Sequence, residues 1–329
     1  MRIAVTGSIA TDHLMTFPGW FSEQLLADRL DRVSLSFLAD NLEVRRGGVA
    51  ANIAFGLGVL GLRPVLVGAV GADFEPYRVW LKDHGVDTDS VRVSSALHTA
   101  RFVCTTDRAQ NQIATFYAGA MAEAREIDLR EVVARTGRLD LVLVSPDDPE
   151  AMLRHTRTCR ELGIPFAADP SQQLARLGRE EVRGLVEGAR WLFTNEYETA
   201  LLGEKSGWSE PEILRRVGAW VTTHGASGVR IRREDGDGDT LSVPAVEVPG
   251  VVDPTGVGDA FRAGFLAGTA WGVPERCAAQ LGCAVAATVL DYVGTQEYRL
   301  HREPLLDRIR TTYGLGCTAE LLVHLRGLS

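Results

Sequence analysis

Residues 253–266 combine a carboxylate with the features of an anion-binding turn. Gly256 and Gly258 allow successive backbone N–H groups to point to one place, and a helix that starts near Asp259 would add its positive N-terminal end. A carboxylate beside such a turn can accept a proton while the amides stabilise negative charge that develops nearby. The pattern therefore predicts Asp259 as a general base. The alternative is an aspartate that only caps the helix.

Short apolar segments rich in β-branched residues alternate with helical stretches along the chain. This alternation is typical of a mostly parallel sheet covered on both faces by helices. We expect strands at residues 3–6, 65–70, 141–145, 166–169, 191–194 and 220–223. Ligands bind at the carboxyl edge of open α/β sheets, and polar residues follow several of these strands. The residues expected to form one site there are Ser8, Asp12, Asp169, Asn195, Glu198 and Thr223.

Two segments interrupt this alternation, because they contain extended, hairpin-like sequence without a crossover helix. They predict a small β-sheet lid built from about residues 13–46 and 98–119. Beside the carboxyl edge, such a lid would exclude water from the site. Residues 1–329 are expected to form a single domain that carries this lid.

The composition excludes several classes of protein. There are 35 Lys and Arg against 43 Asp and Glu, and a net charge of −8 argues against a nucleic-acid binder. No apolar run approaches the roughly 18 residues of a membrane helix, and the first residues lack a secretory leader. We therefore expect a cytoplasmic protein with no membrane or nucleic-acid partner. Its five cysteines are expected to be buried thiols: Cys104, Cys159, Cys277, Cys283 and Cys317.

Two common nucleotide-binding patterns do not explain the sequence. A Walker A loop, GxxxxGK[ST], is absent. Gly56, Gly58 and Gly61 spell GxGxxG, but they lie inside a small-residue helix at residues 50–60 and precede a strand. A dinucleotide fingerprint follows a strand, so we expect these glycines to permit close helix packing instead.

The motifs resemble those of a known family, the ribokinase-like carbohydrate and nucleoside kinases of the phosphofructokinase B family. Residues 253–266 are similar to its C-terminal signature, and residues 46–54 (RGGVAANIA) to its N-terminal one. The segments VGAVGAD (67–73) and NEYE (195–198) also match. The resemblance covers nearly the whole chain. It implies an α/β three-layer sandwich with a mostly parallel central sheet and a small β-sheet lid.

The resemblance implies phosphoryl transfer from ATP. Asp259 would accept the proton of a substrate hydroxyl that attacks the γ-phosphorus. The amides of Gly256, Val257 and Gly258 would stabilise the developing charge. Positioning and charge stabilisation supply most of the catalysis in such reactions.

The same resemblance places the nucleotide and its metal. Asn195 and Glu198 lie on one first helical turn and would hold Mg²⁺, mainly through water; the alternative is ordinary helix capping. Residues 294–296 (GTQ) resemble a loop that, together with Asp253, lines a monovalent-cation site in several members, so Asp253 and Thr295 are implied to bind a cation such as K⁺. The residues implied to bind ATP are Asn195, Thr223, Gly225, Gly228 and Thr255.

Asp12, Gly48 and Asn52 match family positions that bind sugar hydroxyl groups, which implies a ribose-like or hexose-like substrate. Further segments resemble the adenosine kinases of actinobacteria, at residues 8–14, 99–107, 113–121 and 169–177.

An aromatic slot could hold a purine. Phe102 and Phe116 can project from the same face of the lid hairpin and stack against a base. Ser8, Gln172 and Gln173 offer donors and acceptors to the edge of the base. The alternative is that the phenylalanines form the core of the lid and that the glutamines are solvated.

The sequence thus predicts an adenosine kinase that uses ATP to phosphorylate the 5′-hydroxyl of adenosine, giving AMP in purine salvage. One alternative is a sugar kinase of the same family, acting on ribose, fructose or a keto-deoxy sugar acid. Another is a non-catalytic nucleoside-binding sensor, against which Asp259 and the intact anion-binding turn argue. Resemblance and the exposed edges of the lid favour a homodimer formed through the lids.

Overall fold

The computed structural model describes residues 1–24, 34–234 and 240–328. The strands are β1 (Ile3–Thr6), β2 (Ala10–Thr16), β3 (Asn41–Gly47), β4 (Val65–Val70), β5 (Asp87–Val93), β6 (Ala100–Thr106), β7 (Gln112–Tyr117), β8 (Leu141–Val144), β9 (Phe166–Ala168), β10 (Trp191–Asn195), β11 (Trp220–Thr223), β12 (Val229–Arg232) and β13 (Leu241–Val243). The helices are α1 (Phe21–Gln24), α2 (Val49–Val59), α3 (Glu75–Asp83), α4 (Leu129–Thr136), α5 (Pro149–Leu162), α6 (Arg179–Val186), α7 (Glu196–Ser206), α8 (Glu210–Leu214), α9 (Val257–Trp271), α10 (Glu275–Val289), α11 (Arg302–Tyr313) and α12 (Leu315–Leu321).

The large sheet has nine strands in the order β13-β12-β11-β10-β9-β8-β1-β4-β5. The pairs from β11 to β5 are parallel, whereas β12 and β13 are added antiparallel at one edge. Each predicted strand is present, with bounds within one residue of the expected ones.

The strands of this sheet are covered on both faces. In β1, Ile3 and Val5 join a core with α2 and α9, whereas Ala4 joins a second core with α5 and α6. Because successive side chains of a strand point to opposite faces, this alternation places one helical layer on each side. The predicted three-layer α/β sandwich is confirmed. Within the described residues, no helix is both long enough and apolar enough to cross a bilayer.

The lid is a four-stranded sheet in the order β3-β2-β6-β7. Its strand β2 begins at Ala10, earlier than the predicted start at residue 13, because its pairing with β3 and β6 already begins there. Residues 25–33 of the predicted lid lie outside the described residues.

Gly56 and Gly58 permit close packing, as expected, whereas the expectation is wrong for Gly61, which lies beyond the end of α2 at a φ of 85° with nothing within 4 Å of a Cβ atom. A Cβ atom on Gly56 would lie 2.6 Å from the Cβ atom of Ala263 in α9, and one on Gly58 would lie 2.0 Å from the carbonyl oxygen of His84. Neither position has room for a side chain.

The prediction of free thiols is wrong for two of the cysteines. Cys277 and Cys317 form a disulfide that joins α10 to α12. The sequence did not indicate this pairing because the two residues are 40 positions apart and meet only through helix packing. Cys104, Cys159 and Cys283 are free and buried, as expected.

Candidate active site

The predicted anion-binding turn lies at the N-terminus of α9. Gly256 caps the helix with a φ of 79°, and a Cβ atom there would lie 2.8 Å from the Thr295 side chain, so glycine is required. The helix begins at Val257 rather than near Asp259, which places Asp259 inside the first turn. The amide of Ala260 bonds back to the Gly256 carbonyl oxygen at 2.9 Å. The amides of the preceding turn have no acceptor within the helix and can bind an anion.

Asp259 is half-buried, and its Oδ2 atom accepts a hydrogen bond from Nδ2 of Asn52 at 2.8 Å. Burial raises the pKa of Asp259 to about 7, although the Asn52 bond and the Arg262 charge oppose this rise; Asp169 adds to it. A carboxyl group with a pKa near neutrality is suited to proton transfer. The capping alternative is not supported, because Gly256 is the N-cap and the Asp259 side chain bonds to Asn52.

A cavity of about 550 Å³ opens beside Asp259 at the carboxyl ends of the strands. Its lining residues are Val49, Asp169, Ser171, Asn195, Glu196, Tyr197, Glu198, Thr223, Gly225, Gly258, Asp259 and Arg262. Most of the polar strand-end residues predicted from the sequence therefore meet here. Ser8 and Asp12 are not among the residues that line it.

Asn195 and Glu198 form a reciprocal capping box at the start of α7. The Glu198 amide donates to Oδ1 of Asn195, and the Asn195 amide donates to Oε2 of Glu198, each at 2.8 Å. Oε1 of Glu198 accepts a bond from the Ser171 hydroxyl at 3.0 Å. The capping alternative is therefore realised, while both residues also line the cavity. Their role in holding a metal stays a prediction.

The cavity fits a metal that is bound through water and phosphate better than one bound directly by protein. In the parts of the chain that the structure describes, three or more His, Cys, Asp or Glu side chains are nowhere grouped as metal ligands. Mg²⁺ commonly keeps several waters and uses one or two carboxylates together with substrate phosphates. Glu198 could supply one of these contacts.

The sequence analysis missed Arg262, although it lines the cavity. Its Nε and Nη2 atoms lie 2.6 and 2.7 Å from the two carboxylate oxygens of Asp169, and both residues are buried. Burial raises the pKa of Asp169 to about 6, against the opposing effect of Arg262. The available signal was a single arginine in the otherwise small and apolar stretch of residues 260–268.

A second cavity, of about 600 Å³ and with mostly apolar walls, adjoins the first and shares Thr223, Gly225 and Gly258 with it. Its other lining residues are Ala226, Gly228, Ala245, Val246, Glu247, Val248, Val251, Pro254, Val257, Phe261, Cys283, Ala286, Ala287 and Leu290. Most of the residues predicted to bind ATP are therefore brought together here. Thr255 is exposed, and its amide donates to Oδ1 of Asp253 at 2.9 Å.

The predicted cation-binding residues are engaged in other contacts. Asp253 accepts a bond from the Gly294 amide at 2.9 Å and lies 3.6 Å from the Arg45 guanidinium. Thr295 directs its hydroxyl to Oδ1 of Asn52 at 2.9 Å. A monovalent-cation site at Asp253 and Thr295 stays a prediction, and Arg45 already supplies positive charge there.

Two of the predicted substrate residues build the backbone around the site. Ser8 accepts a bond from the Val49 amide at 3.0 Å, in the first turn of α2, and its role toward a base stays a prediction. Gly48 has a φ of 94°, and a Cβ atom there would lie 2.6 Å from the Ser8 carbonyl oxygen. Gly48 therefore allows β1 and α2 to approach closely.

The two glutamines do not line either cavity. Gln173 is buried and donates to the backbone carbonyl oxygen of Asp147 at 2.8 Å, so it supports the strand ends instead of facing a ligand. The Ser171 hydroxyl lies 2.8 Å from Oε1 of Gln172, and its single proton can serve only one of Gln172 and Glu198 at a time. A 3₁₀ helix at Ser171–Ala175 turns the Gln173 side chain inward. The sequence did not indicate this helix.

Phe102 and Phe116 are directly opposite each other on β6 and β7, and Asp12 is opposite Phe102 on β2. On the neighbouring strand β3, Arg45 lies opposite Asp12. Opposed residues share a face of the sheet, so the predicted common face of the two phenylalanines is confirmed. Phe116 remains 52% exposed, which shows that the pair is not a closed lid core. Burial raises the pKa of Asp12 to about 6, with Arg45 opposing the shift.

Comparisons with known proteins show which family and which solved structures the chain is similar to. A model of the pfkB family of carbohydrate kinases matches residues 11–301. The ligand-free nucleoside kinase of Burkholderia thailandensis is 36% identical, with a TM-score of 0.83 over 94% of this chain and all of that one. Its complex with inosine is 35% identical, with a TM-score of 0.81 over 95% of this chain and 98% of that one. A nucleoside kinase of Methanothermobacter thermautotrophicus is 32% identical over 254 residues, 76% of this chain and 80% of its own.

Proposed function

The chain belongs to the pfkB family of carbohydrate kinases, and on this basis we propose that it transfers the γ-phosphoryl group of ATP to the 5′-hydroxyl of a nucleoside, with adenosine as the substrate. The observation that carries the proposal is the position of Asp259. Its carboxyl group, with a pKa raised by burial to about 7, lies in the first turn of α9 and lines the first cavity, while the preceding Gly258 lines both.

The two adjoining cavities suit the parts of ATP. The larger, mostly apolar one would take the base of ATP, so that the phosphates extend toward Gly256, Val257 and Gly258 at the helix N-terminus. Asp259 would then remove the proton of the substrate hydroxyl, and these amides would stabilise the charge that develops on the transferred group. Mg²⁺, when bound, would neutralise phosphate charge, and Glu198 would help to orient it through water.

Two observations support a nucleoside. Phe102 and Phe116 form an adjacent aromatic pair on the lid face that carries Asp12, so a base stacked on them would place its ribose near a hydroxyl-binding carboxylate. The Burkholderia relative was solved with inosine, a purine nucleoside. The relatives reported above are described as nucleoside kinases, so the finer resemblance to actinobacterial adenosine kinases is not confirmed and adenosine remains part of our proposal.

A sugar kinase is the second candidate, and the family description as carbohydrate kinases favours it. It would use Asp12 and Asn52 for hydroxyl groups and would have no use for the aromatic pair. A non-catalytic sensor would not need Asp259 beside an intact anion-binding turn, and we set it aside.

A coupled assay of ADP release separates the candidates. Adenosine, inosine, guanosine, ribose and fructose are compared with ATP and Mg²⁺ as the other components. Adenosine kinase activity predicts the highest kcat/KM for adenosine, and sugar kinase activity predicts it for ribose or fructose. Phe102→Ala should lower kcat/KM for nucleosides only. Val323→Ala is the control, because it shortens an exposed apolar side chain outside the lid and outside both cavities.

The homodimer and the cytoplasmic location also remain predictions. The face of the lid that points away from Phe102 and Phe116 carries four exposed apolar side chains, those of Leu42, Val44, Ile113 and Tyr117. An apolar face of this kind is consistent with pairing of two lids. Sedimentation of the wild type and of Val44→Glu would test it, since the charge should produce a monomer.

A further inference from the structure

A chain of hydrogen bonds, buried at its two middle residues, connects Trp80 to Asp259. Nε1 of Trp80 donates to Oε1 of Gln296 at 3.2 Å. Nε2 of Gln296 donates to Oδ1 of Asn52 at 2.9 Å, and Nδ2 of Asn52 donates to Oδ2 of Asp259 at 2.8 Å. Gln296 and Asn52 are only 1% and 6% exposed, so water cannot readily replace these bonds.

The direction of the chain is fixed at its Trp80 end. An indole N–H can only donate, so Gln296 must turn its carbonyl oxygen toward Trp80. The NH₂ group of Gln296 then faces Asn52, which must present its carbonyl oxygen to Gln296 and its own NH₂ group to Asp259. The NH₂ group of Gln296 also bonds to the Tyr77 hydroxyl, whose proton is directed to a backbone carbonyl oxygen.

We propose that Gln296 is a positioning residue for Asp259. By fixing the amide of Asn52, Gln296 ensures that Asp259 receives a donor on Oδ2. That oxygen is thereby kept unprotonated, and Oδ1 is left to accept the proton of the substrate. This inference rests on the proposed role of Asp259 as the base.

The other neighbours of Asn52 cannot replace Gln296 fully. The Thr295 hydroxyl lies 2.9 Å from Oδ1 of Asn52 and 3.0 Å from the carbonyl oxygen of Arg46. A hydroxyl has one proton, so Thr295 can donate to only one of these acceptors at a time. Gln296 has two N–H groups and can serve Asn52 and Tyr77 together.

The other groups around Asp259 belong to several elements. Arg262 of α9 and Asp169 at the end of β9 are paired with each other. Glu198 of α7 lines the same cavity. Burial raises the pKa of Tyr77 in α3 and of Tyr298 above the usual range, so both phenols are neutral near pH 7. The charged groups among them, Arg262, Asp169 and Glu198, make no hydrogen bond to Gln296, whose side-chain partners are Trp80, Asn52 and Tyr77.

The test is the pH dependence of kcat in Gln296→Met, a variant of similar volume without a donor. Asn52 is then free to turn its amide over, and Asp259 loses the bond that favours its ionised form. We expect the acid limb of kcat to move up by about one pH unit, with a roughly tenfold loss of kcat at pH 6 and little loss at pH 9. Asn52→Leu, which removes the donor altogether, should shift the limb at least as far.

Tyr77→Phe is the matched control, because it removes a partner of Gln296 without reversing any donor in the chain. Its acid limb should stay within about 0.2 unit of the wild type, well below the one-unit shift expected above. The inference is overturned if Asn52→Leu moves the limb and Gln296→Met does not. A purely structural role would lower stability or raise KM at every pH equally.

A measurement on the wild type guards against variants that do not fold. In ¹⁵N NMR spectra, the side-chain NH₂ signals of Asn52 and Gln296 should both shift as Asp259 titrates, with the larger change at Asn52. A Gln296 signal that ignores this titration overturns the inference. Asp259→Asn separates this failure from that of the proposed function: if it retains activity, the role of Asp259 as base fails, whatever the Gln296 variants do.

Discussion

Replacement of Asp259 by asparagine should stabilise the protein at alkaline pH. Burial raises the pKa of this carboxyl group from 3.8 to about 7. Between these two values the folded chain holds a proton that the unfolded chain has released. The contribution of Asp259 to stability therefore falls as the pH rises through this window, and above pH 7 the folded state carries the full penalty. Asparagine has a similar shape and no charge to bury.

The size of the effect follows from the pKa shift. One pKa unit corresponds to 1.36 kcal/mol, so a rise of about three units sets a ceiling of about 4 kcal/mol. Asp259 is half-buried and opens onto the cavity, where solvent reduces the penalty. We therefore expect Asp259→Asn to raise the free energy of unfolding at pH 8 by about 1 to 3 kcal/mol. At pH 4, close to the unfolded-state pKa of 3.8, the gain should fall to a few tenths of a kcal/mol.

Urea unfolding at intervals between pH 4 and pH 8 measures this difference. For a chain of this length, the gain at pH 8 corresponds to an increase in Tm of a few degrees. Asp40→Asn is the control, because it removes the same charge from an exposed loop position. The reasoning is refuted if Asp259→Asn is no more stable than the wild type at pH 8, or if its gain is the same at every pH.

Three other perturbations test the rest of the site. Phe102→Ala should weaken nucleoside binding roughly 5- to 150-fold, from about 1 to 3 kcal/mol of stacking, and spare a free sugar; Asp12→Ala should weaken both, as measured by calorimetry. Glu198→Gln should raise the Mg²⁺ concentration for half-maximal rate without changing nucleoside affinity, and an unchanged titration would leave Glu198 with capping alone. Arg262→Met should destabilise the fold by about 3 to 5 kcal/mol, because Asp169 is left buried without its partner, and adding Asp169→Leu should restore most of the loss in denaturant unfolding.

The sequence predicted the fold and the site best where a few neighbouring residues decide both the local structure and the chemistry. The glycines around Val257 and the carboxylate at Asp259 have few uses other than an anion-binding turn, and the β-branched segments matched the observed strands closely. Burial on both faces gives those strands an unbroken apolar pattern with clear ends.

Contacts between distant segments could not be predicted in this way. Gln296 acts on Asp259 through its hydrogen bond to Asn52. Gln296 and Asn52 are 244 residues apart along the chain. Arg262 pairs with Asp169 across 93 residues. Gln173 and Ser8 have the polarity of ligand-binding residues, but the fold uses their hydrogen bonds to support its own backbone. Residue type alone does not distinguish these two uses.

The most direct test of the central claim is the single-turnover rate of Asp259→Asn with ATP, Mg²⁺ and adenosine, measured beside the affinities for both substrates. If Asp259 is the general base, the rate should fall by about 10²- to 10⁴-fold while both affinities stay near those of the wild type. A rate close to that of the wild type, with both substrates bound, would contradict the assignment.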